Sequence, residues 1–189
     1  MTLSNEYQKL LIDMHSTNKK WGSEFKKTPM PVMLKNTIDK YKPKSILDFG
    51  CGKGFLSKKI RQEYPEITVT GWDPSHNDEL TGTYDMIIST DVLEHVEPEY
   101  LKSTLADLKK RANIVQYHLI ACYSAAAILP DGRNAHLSIL TPDEWQGLFL
   151  DNDYKIINEN VNCTWRNKKG KSAFVGKKIA LEYEVVAES

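Results

Sequence analysis

The sequence predicts a three-layer α/β sandwich, with a mostly parallel β-sheet between helices and an antiparallel hairpin at its C-terminal end. Short apolar runs alternate with stretches of helical periodicity, which is typical of parallel strands joined by helical crossovers. A helical segment and two β-rich stretches, at 154–164 and 172–186, follow them. We expect one domain over 1–189, with an N-terminal helical cap at 1–43 and an α/β core at 44–189.

Two helices are predicted in the cap. Apolar residues at helical spacing indicate the first one: Tyr7, Leu10, Leu11 and Met14. The second helix opens at Pro31 and ends before Pro43, since proline suits a first turn and cannot continue a helix. Trp21 lies between the two helices. It is a candidate contact for a bound ligand, although a tryptophan in such a leader more often packs the leader onto the core.

A strand, a glycine turn and the start of a helix form the centre of the sequence. Residues 45–54 read Ser-Ile-Leu-Asp-Phe-Gly-Cys-Gly-Lys-Gly. The apolar first half suits a strand covered on both faces. Gly50, Gly52 and Gly54 alternate, and glycine permits the sharp turn and the close approach of a ligand to the backbone. The helix over 55–63 points its first N–H groups at the turn, which favours a polar or anionic ligand group.

A second strand, over 67–72, ends on an acidic residue. Asp73 lies 23 residues after Gly50 and 19 residues after Gly54. An acid about 20 positions after a glycine turn is placed to accept hydrogen bonds from a ribose diol. The nicotinamide-type fingerprint G-x-G-x-x-G fits poorly, because its third glycine would fall on Phe55. The alternative is an α/β domain without a nucleotide, in which the glycines only permit tight helix packing.

The pattern D-x-G-x-G-x-G with a later acid resembles the class I S-adenosylmethionine-dependent methyltransferases, which have a Rossmann-like fold. The resemblance covers roughly Pro43 to the C-terminus and implies S-adenosyl-L-methionine as the cofactor. It also implies a set of cofactor-binding residues at the ends of the first, second and next central strands. They are Asp48, Gly50, Cys51, Gly52, Gly54, Asp73, Pro74, Asp91 and Val92.

One stretch departs from the pattern of that family. A helix and a further strand usually lie between the ribose acid and the next central strand. Here only the polar, turn-rich residues 74–84 separate Asp73 from the apolar strand at 85–89. A crossover with its helix needs at least about 10–12 residues. We therefore expect this unit to be reduced or lost and the sheet to lack one edge strand. The acid that commonly meets the adenine amino group then has no counterpart.

Residues 90–96, Thr-Asp-Val-Leu-Glu-His-Val, also resemble the family, where a similar L-E-H stretch follows the fourth strand. If this segment is helical, Asp91, Glu94 and His95 share one face. His136 comes from a later loop that returns to the same edge. Ligands of open α/β sheets bind at the carboxyl ends of the strands, so we expect the four side chains to gather there. Glu94, His95 and His136 are the candidate catalytic residues, with a histidine as acceptor contact or base.

Two carboxylates and two imidazoles are also possible ligands of a divalent metal. The set resembles that of the small-RNA 3′-terminal 2′-O-methyltransferases, which carry an E-x-x-E-H run and a later histidine. Asp91 stands where those enzymes have glutamate, which shortens its reach, and we predict no metal. A basic cluster near the hairpin suggests nucleic acid: Arg166, Lys168, Lys169, Lys171, Lys177 and Lys178. The zero net charge argues against an extended surface for nucleic acid.

The sequence therefore predicts a methyltransferase that acts on a small-molecule acceptor, at oxygen. The alternatives are a metal-dependent RNA ribose 2′-O-methyltransferase and a non-catalytic S-adenosylmethionine-binding module. No apolar run approaches the roughly 18 residues of a membrane span, and no signal-peptide pattern is evident at the start. Cys51, Cys122 and Cys163 match no disulfide or zinc pattern. We expect a cytoplasmic protein without a membrane partner.

Overall fold

The structure is a computed structural model. It describes residues 3–18, 21–22, 26–27, 29–76, 79–166 and 175–187. The helices are α1 (Asn5–Thr17), α2 (Val32–Tyr41), α3 (Phe55–Glu63), α4 (Pro98–Arg111) and α5 (Pro142–Leu150). The strands are β1 (Ser45–Phe49), β2 (Thr68–Trp72), β3 (Tyr84–Thr90), β4 (Ala112–Ala121), β5 (Tyr154–Arg166) and β6 (Val175–Ala187). One turn of 3-10 helix, Leu93–His95, lies between β3 and α4.

The strands form one sheet in the order β2-β1-β3-β4-β6-β5. Strands β1 to β4 are parallel, and β6 runs antiparallel to both β4 and β5. Ile46 of β1 is in register with Val69 of β2 and with Met86 of β3, and all three side chains are buried. The predicted α/β class, the mostly parallel sheet and the C-terminal antiparallel hairpin are confirmed.

The shortened connection after β2 is also confirmed. Among the described residues no strand or helix lies between β2 and β3, so β2 forms one edge of a six-stranded sheet. The return segment buries Leu80 against Trp72 and the core on one side of the sheet. Helix α1 approaches the same region, because the Gln8 side-chain amide donates a hydrogen bond to the Pro74 carbonyl at 3.0 Å.

Three apolar clusters hold the layers together. Helices α2 and α3 pack on one face of the sheet around Leu34, Ile60 and Met86. Helices α4 and α5 pack on the other face, where Trp145 is completely buried. The third cluster joins α1 to the loop that follows β4 and includes Leu129. Helix α1 therefore lies across the carboxyl edge of the sheet rather than on one of its faces.

Helix α5 begins with the predicted capping box. The Thr141 hydroxyl accepts a hydrogen bond from the Glu144 N–H at 3.3 Å, and the Glu144 carboxylate accepts one from the Thr141 N–H at 2.7 Å. These bonds satisfy N–H groups that have no partner inside the helix. They fix the direction in which α5 carries Trp145 and Phe149 into the core.

Replacing Thr141 by alanine should lower the free energy of unfolding by about 1 kcal/mol, because the cap is lost while the helix keeps its apolar face. Urea denaturation of Thr141→Ala measures this loss. Ser103→Ala is the matched control, since Ser103 is an exposed residue of α4 away from a helix cap. Equal effects of the two substitutions would contradict the role of the cap.

Candidate active site

The carboxyl ends of the parallel strands and the N-terminal segment enclose a cavity of about 360 Å³. This volume lies in the range of small-molecule sites, which is about 300–1,000 Å³. Of the predicted cofactor-binding residues, most line it: Asp48, Gly50, Cys51, Gly52, Asp73, Pro74, Asp91 and Val92. Gly54 does not, since it forms the N-cap of α3 with a φ of 69°.

The glycine turn forms one wall of the cavity. Gly50 and Gly52 have φ angles of 72° and 52°, in the left-handed region that favours glycine. A Cβ atom on Gly50 would lie 2.5 Å from the Val92 side chain, and one on Gly52 would lie 2.7 Å from the Gly22 backbone. The absence of side chains therefore permits both the turn and its close packing against two neighbouring segments.

The turn is also tied to β2. The N–H groups of Gly50 and Cys51 both donate to the Trp72 carbonyl, at 2.7 and 3.0 Å. Burial raises the pKa of the Cys51 thiol to about 12, so it stays protonated at neutral pH. Cys51 therefore lines the cavity as a small neutral side chain rather than as a nucleophile.

Asp73 follows β2 and lies beside the glycine turn. Its carboxylate accepts hydrogen bonds from the Gly52 N–H at 2.9 Å, from the Ser75 N–H at 2.9 Å and from the Ser75 hydroxyl. The His15 ring of α1 lies 3.8 Å from the same carboxylate. The residue is buried but lines the cavity, so these hydrogen bonds hold its carboxylate in a fixed direction at the cavity wall.

Asp48 lies deeper in the same wall. It is 2% exposed and accepts a hydrogen bond from the Ser57 hydroxyl. Burial raises its pKa from the ordinary value of 3.8 to about 6, and the Ser57 hydrogen bonds only partly oppose this effect. Asp48 is therefore a buried carboxylate on the border of a cavity, which favours a ligand that brings positive charge.

The N-terminal segment covers the cavity opposite the sheet. The Trp21 ring lies 5.4 Å from the His95 ring and 6.4 Å from the His15 ring, measured between centroids. The neighbouring Gly22 carbonyl accepts a hydrogen bond from the Lys53 N–H at 2.9 Å. Trp21 therefore lines the cavity, which suits the hypothesis that it contacts a bound ligand. It also packs the N-terminal segment against the core, which was the other hypothesis.

Three polar side chains lie together at the cavity, two of them in its wall and one behind it. One candidate ligand atom from each of Glu94, His95 and His136 lies within 4.8 Å of the others. The Glu94 carboxylate is 4.0 Å from His136 Nε2, and the two imidazole centroids are 4.8 Å apart. We call this set the acceptor triad. His95 and His136 line the cavity, while Glu94 lies behind them and is fully buried.

The expected fourth member, Asp91, does not share a helical face with the triad. The 3-10 turn covers only Leu93–His95, and Asp91 precedes it with a φ of 54°. Its backbone N–H donates to the Leu119 carbonyl, which anchors the residue to the end of β4. Asp91 therefore lines the cavity separately from the triad.

The backbone sets the tautomer of both triad histidines. His95 Nδ1 lies 2.7 Å from the Ala135 carbonyl, and His136 Nδ1 bonds to the Tyr123 carbonyl. A carbonyl can only accept a hydrogen bond, so both Nδ1 atoms carry the proton and each neutral ring keeps a lone pair on Nε2. Burial, with the neighbouring His136, lowers the pKa of His95 to about 4 and keeps it neutral.

The loop that carries His136 is fastened to the turn that carries the other two residues. The Ser138 N–H donates to the Glu94 carbonyl at 2.9 Å, and the Ser138 hydroxyl donates to the Val96 carbonyl at 2.7 Å. The triad geometry is therefore fixed by the backbone.

Other candidates lie elsewhere. His118 is buried in β4, bonds to Ser89 at 2.8 Å and does not line the cavity, as expected for a structural residue. The side chains of the basic cluster and of Cys163 lie outside the described residues. His15 lines the cavity but was not predicted, because nothing in the local sequence shows that α1 crosses the edge of the sheet.

Comparison with known proteins shows the family. Residues 24–159 match the family described as "Methyltransferase domain", which is more than half of the chain. The chain belongs to this family, and its fold and glycine turn are those of a class I S-adenosylmethionine-dependent methyltransferase. The cofactor is therefore S-adenosyl-L-methionine. A search of curated proteins gave no match.

Many solved structures share the fold. One is a 1,6-didemethyltoxoflavin-N1-methyltransferase of Burkholderia thailandensis with bound S-adenosylhomocysteine, at 12% identity, TM-score 0.58 and coverage of 98% of this chain and 92% of that chain. Another is magnesium protoporphyrin IX methyltransferase of Synechocystis, at 12% identity, TM-score 0.56 and coverage of 99% and 100%. TehB of Haemophilus influenzae is 17% identical, with TM-score 0.56 and coverage of 90% and 67%. These likenesses show the fold alone.

The described residues fit the cofactor on the side of the cavity that the glycine turn forms. The glycine turn leaves the backbone bare where a Cβ atom would clash, and the oriented Asp73 carboxylate stands beside it. None of the helices in the described parts of the chain has the length and apolar character that a membrane span requires.

Replacing Gly50 by alanine should destabilise the protein more than replacing Gly54. Both glycines have φ near 70°, so both variants suffer similar backbone strain. Only the Cβ atom at position 50 meets a neighbour, the Val92 side chain, whereas no atom lies within 4 Å of one at position 54. We expect the additional loss at Gly50→Ala to be about 1–3 kcal/mol in urea denaturation. Equal losses of stability in the two variants would contradict this explanation, because they would mean that the Val92 side chain moves aside without a cost in free energy.

The Asp48 carboxyl should make the protein less stable as pH rises. Its pKa is raised in the folded state, so the folded protein binds the proton more tightly than the unfolded chain. The resulting stability is present below about pH 4 and is lost as pH rises through about 6. Asp48→Asn should therefore raise the free energy of unfolding at pH 7.5 by at most about 3 kcal/mol, with a higher melting temperature. Near pH 4 the same substitution should change both quantities little. A difference that does not vary with pH would contradict this explanation.

Proposed function

We propose that the chain transfers a methyl group from S-adenosyl-L-methionine to an oxygen atom of a small-molecule acceptor. The observation that carries this proposal is the acceptor triad. His95 and His136 line the cavity that the glycine turn also lines, each with an Nε2 atom that can accept a hydrogen bond, and the buried Glu94 carboxylate lies beside His136. A hydroxyl group on the methyl acceptor can donate a hydrogen bond to such a site. Its proton has to leave when the oxygen is methylated.

The cofactor, when bound, supplies an electrophilic methyl group on a positively charged sulfur. The chain has to hold the acceptor oxygen in line with that methyl group, and positioning of this kind contributes about 7–11 kcal/mol to catalysis. We assign the ribose to Asp73 and the positively charged region of the cofactor to the side of Asp48. We assign Asp91 and Val92, which also line the cavity, to the methionine part.

The two triad histidines are suited to different tasks. His95 has a pKa lowered to about 4, so it accepts a hydrogen bond but is a weak base, and we assign it to orient the acceptor hydroxyl. His136 stands 4.0 Å from the Glu94 carboxylate, which would stabilise an imidazolium. We assign His136 as the general base and Glu94 as the residue that stabilises its charge. The fixed Nδ1 proton leaves Nε2 to receive the proton.

A metal-dependent enzyme is the second candidate, because the same observation favours it. Two imidazoles and a carboxylate are common metal ligands, and ligating histidines generally donate their other N–H to a carbonyl, as His95 and His136 do. The spacing weighs against it. Metal–nitrogen bonds are about 2.1 Å long, so two ligands of one ion lie at most about 4.2 Å apart. The triad spans up to 4.8 Å and would have to contract.

The remaining alternatives have less support. A non-catalytic binding module gives no reason for two histidines whose Nδ1 atoms are both held by backbone carbonyls beside the cofactor site. An RNA substrate would need a positive groove, and the chain has zero net charge.

We propose a single domain over 1–189, with the cap and core as predicted, and a cytoplasmic location.

The test is transfer of a labelled methyl group from S-adenosyl-L-methionine to a panel of phenols, catechols and aliphatic alcohols, each with and without chelator. His136→Gln should lower kcat by about 100-fold to 10,000-fold, the usual contribution of a general base. Calorimetric affinity for S-adenosylhomocysteine should stay within about threefold, because His136 is assigned to the acceptor. Glu94→Gln should give a smaller loss and move the pH profile of kcat.

Chelator should not change the rate. If chelation abolishes turnover while cofactor binding survives, and magnesium or manganese restores it, the metal-dependent candidate replaces the proposed one. Transfer to amines but to no hydroxyl compound would contradict the assignment of oxygen.

A further inference from the structure

The residues that follow β2 form a tight turn beside the glycine turn. The His76 N–H donates to the Asp73 carbonyl at 3.1 Å, and the Ser75 N–H donates to the Asp73 carboxylate at 2.9 Å. The sequence favours this geometry, because aspartate suits the first position of such a turn and proline, here Pro74, suits the second. His76 is the fourth residue of the turn, so its backbone lies beside the strand end that carries Asp73.

The ring of His76 joins two parts of the site. Its Nε2 atom lies 2.8 Å from the Gly52 carbonyl and donates to it, since a carbonyl can only accept. Its Nδ1 atom lies 2.7 Å from the Ser75 hydroxyl, which also bonds to the Asp73 carboxylate. We call the set of Gly52, Asp73, Ser75 and His76 the histidine clamp.

The clamp holds Gly52 at both of its backbone polar groups. The Gly52 N–H donates to the Asp73 carboxylate at 2.9 Å, while the Gly52 carbonyl accepts the bond from His76. Glycine has more backbone freedom to lose than any other residue, so an unrestrained Gly52 would move easily. Because both bonds come from the loop after β2, they fix the distance between the glycine turn and Asp73.

The shortened connection after β2 makes the clamp possible. Among the described residues no helix begins between β2 and β3, so the Ser75 hydroxyl caps no helix and bonds within the clamp instead. His76 is exposed and does not line the cavity, whereas Gly52 and Asp73 do. His76 can therefore act on a ligand in the cavity only through these two residues.

We propose that His76 is a positioning residue for the cofactor. The clamp holds the glycine turn and the Asp73 carboxylate at the spacing that a ligand bound to both of them needs. Such a ligand binds more tightly to a preorganised pair of contacts, because the loops have less freedom to lose. A ligand that contacts only one of the two parts gains little from their spacing. This inference rests on the proposed assignment of the ribose to Asp73 and is independent of the acceptor.

The test is calorimetric binding of S-adenosylhomocysteine and of its 2′,3′-dideoxy analogue, which lacks the ribose diol. His76→Phe keeps a flat ring and loses both hydrogen bonds of the imidazole. It should weaken S-adenosylhomocysteine by about fivefold to tenfold, the usual effect of one net hydrogen bond, and the analogue by less than about twofold. A merely structural role of His76 would weaken both compounds equally.

Two further substitutions separate the bonds of the ring. Glutamine can place an amide N–H where His76 Nε2 lies, so His76→Gln should keep the Gly52 bond and bind S-adenosylhomocysteine within about twofold of the unsubstituted protein. Asparagine reaches only as far as Nδ1, so His76→Asn should lose as much affinity as His76→Phe.

Tyr84→Phe is the matched control. The Tyr84 hydroxyl donates to the Thr81 carbonyl at 3.1 Å, in the same connection but at the amino end of β3. This substitution also removes a bond between a side chain and a carbonyl, and both affinities should stay unchanged.

Three results would overturn the proposal. Unchanged binding of S-adenosylhomocysteine by His76→Phe would show that the clamp does not affect the cofactor. Equal losses for the two compounds would show that His76 is only structural. A His76→Gln variant as weak as His76→Phe would exclude the Gly52 bond as the cause.

Asp73→Ala distinguishes these results from a failure of the cofactor assignment. The unsubstituted protein should prefer S-adenosylhomocysteine to the dideoxy analogue, and Asp73→Ala should abolish this preference. If the preference survives in that variant, the ribose is not held by Asp73, and the proposal is wrong together with the assignment on which it rests.

Discussion

The parallel pairing of β1, β2 and β3 is the constraint on which the rest of the structure depends. It brings the carboxyl ends of these strands to one edge, so that residues far apart in sequence meet there. The bonds from Gly50 and Cys51 to the Trp72 carbonyl join the first two strand ends directly. The glycine turn, the Asp73 carboxylate and the acceptor triad are three consequences of this one arrangement.

The shortened connection after β2 explains why the N-terminal helix α1 contributes to the site. Without a further strand, the edge at β2 would leave Trp72 and its neighbours uncovered. Helix α1 contacts the residues that follow β2, since the Gln8 amide donates to the Pro74 carbonyl at 3.0 Å, and its Leu11 and His15 line the cofactor cavity. A segment that could be mistaken for a mere leader is therefore part of the site.

The sequence was sufficient for those parts of the structure that local patterns determine. The strand-turn-helix unit at Gly50, the capping box at Thr141 and the missing crossover follow from residue type and spacing, and each was predicted. The gathering of His136 with Glu94 and His95 was also predicted, from the rule that strand ends meet at one edge, but the placement of α1 was not. The path of α1 depends on packing with distant segments, which is why His15 was not expected in the site. Asp91 departed from the expected helical face because its φ of 54° precludes a helix there.

A crystal structure of the protein with S-adenosylhomocysteine is the most direct test of the central claim. This claim is that the carboxyl edge of the sheet holds both the cofactor site and the acceptor site. The account predicts the ribose at Asp73 and the sulfur facing His95 and His136 across open space for an acceptor. A ligand bound in the opposite direction, with its adenine against the two histidines, would contradict it.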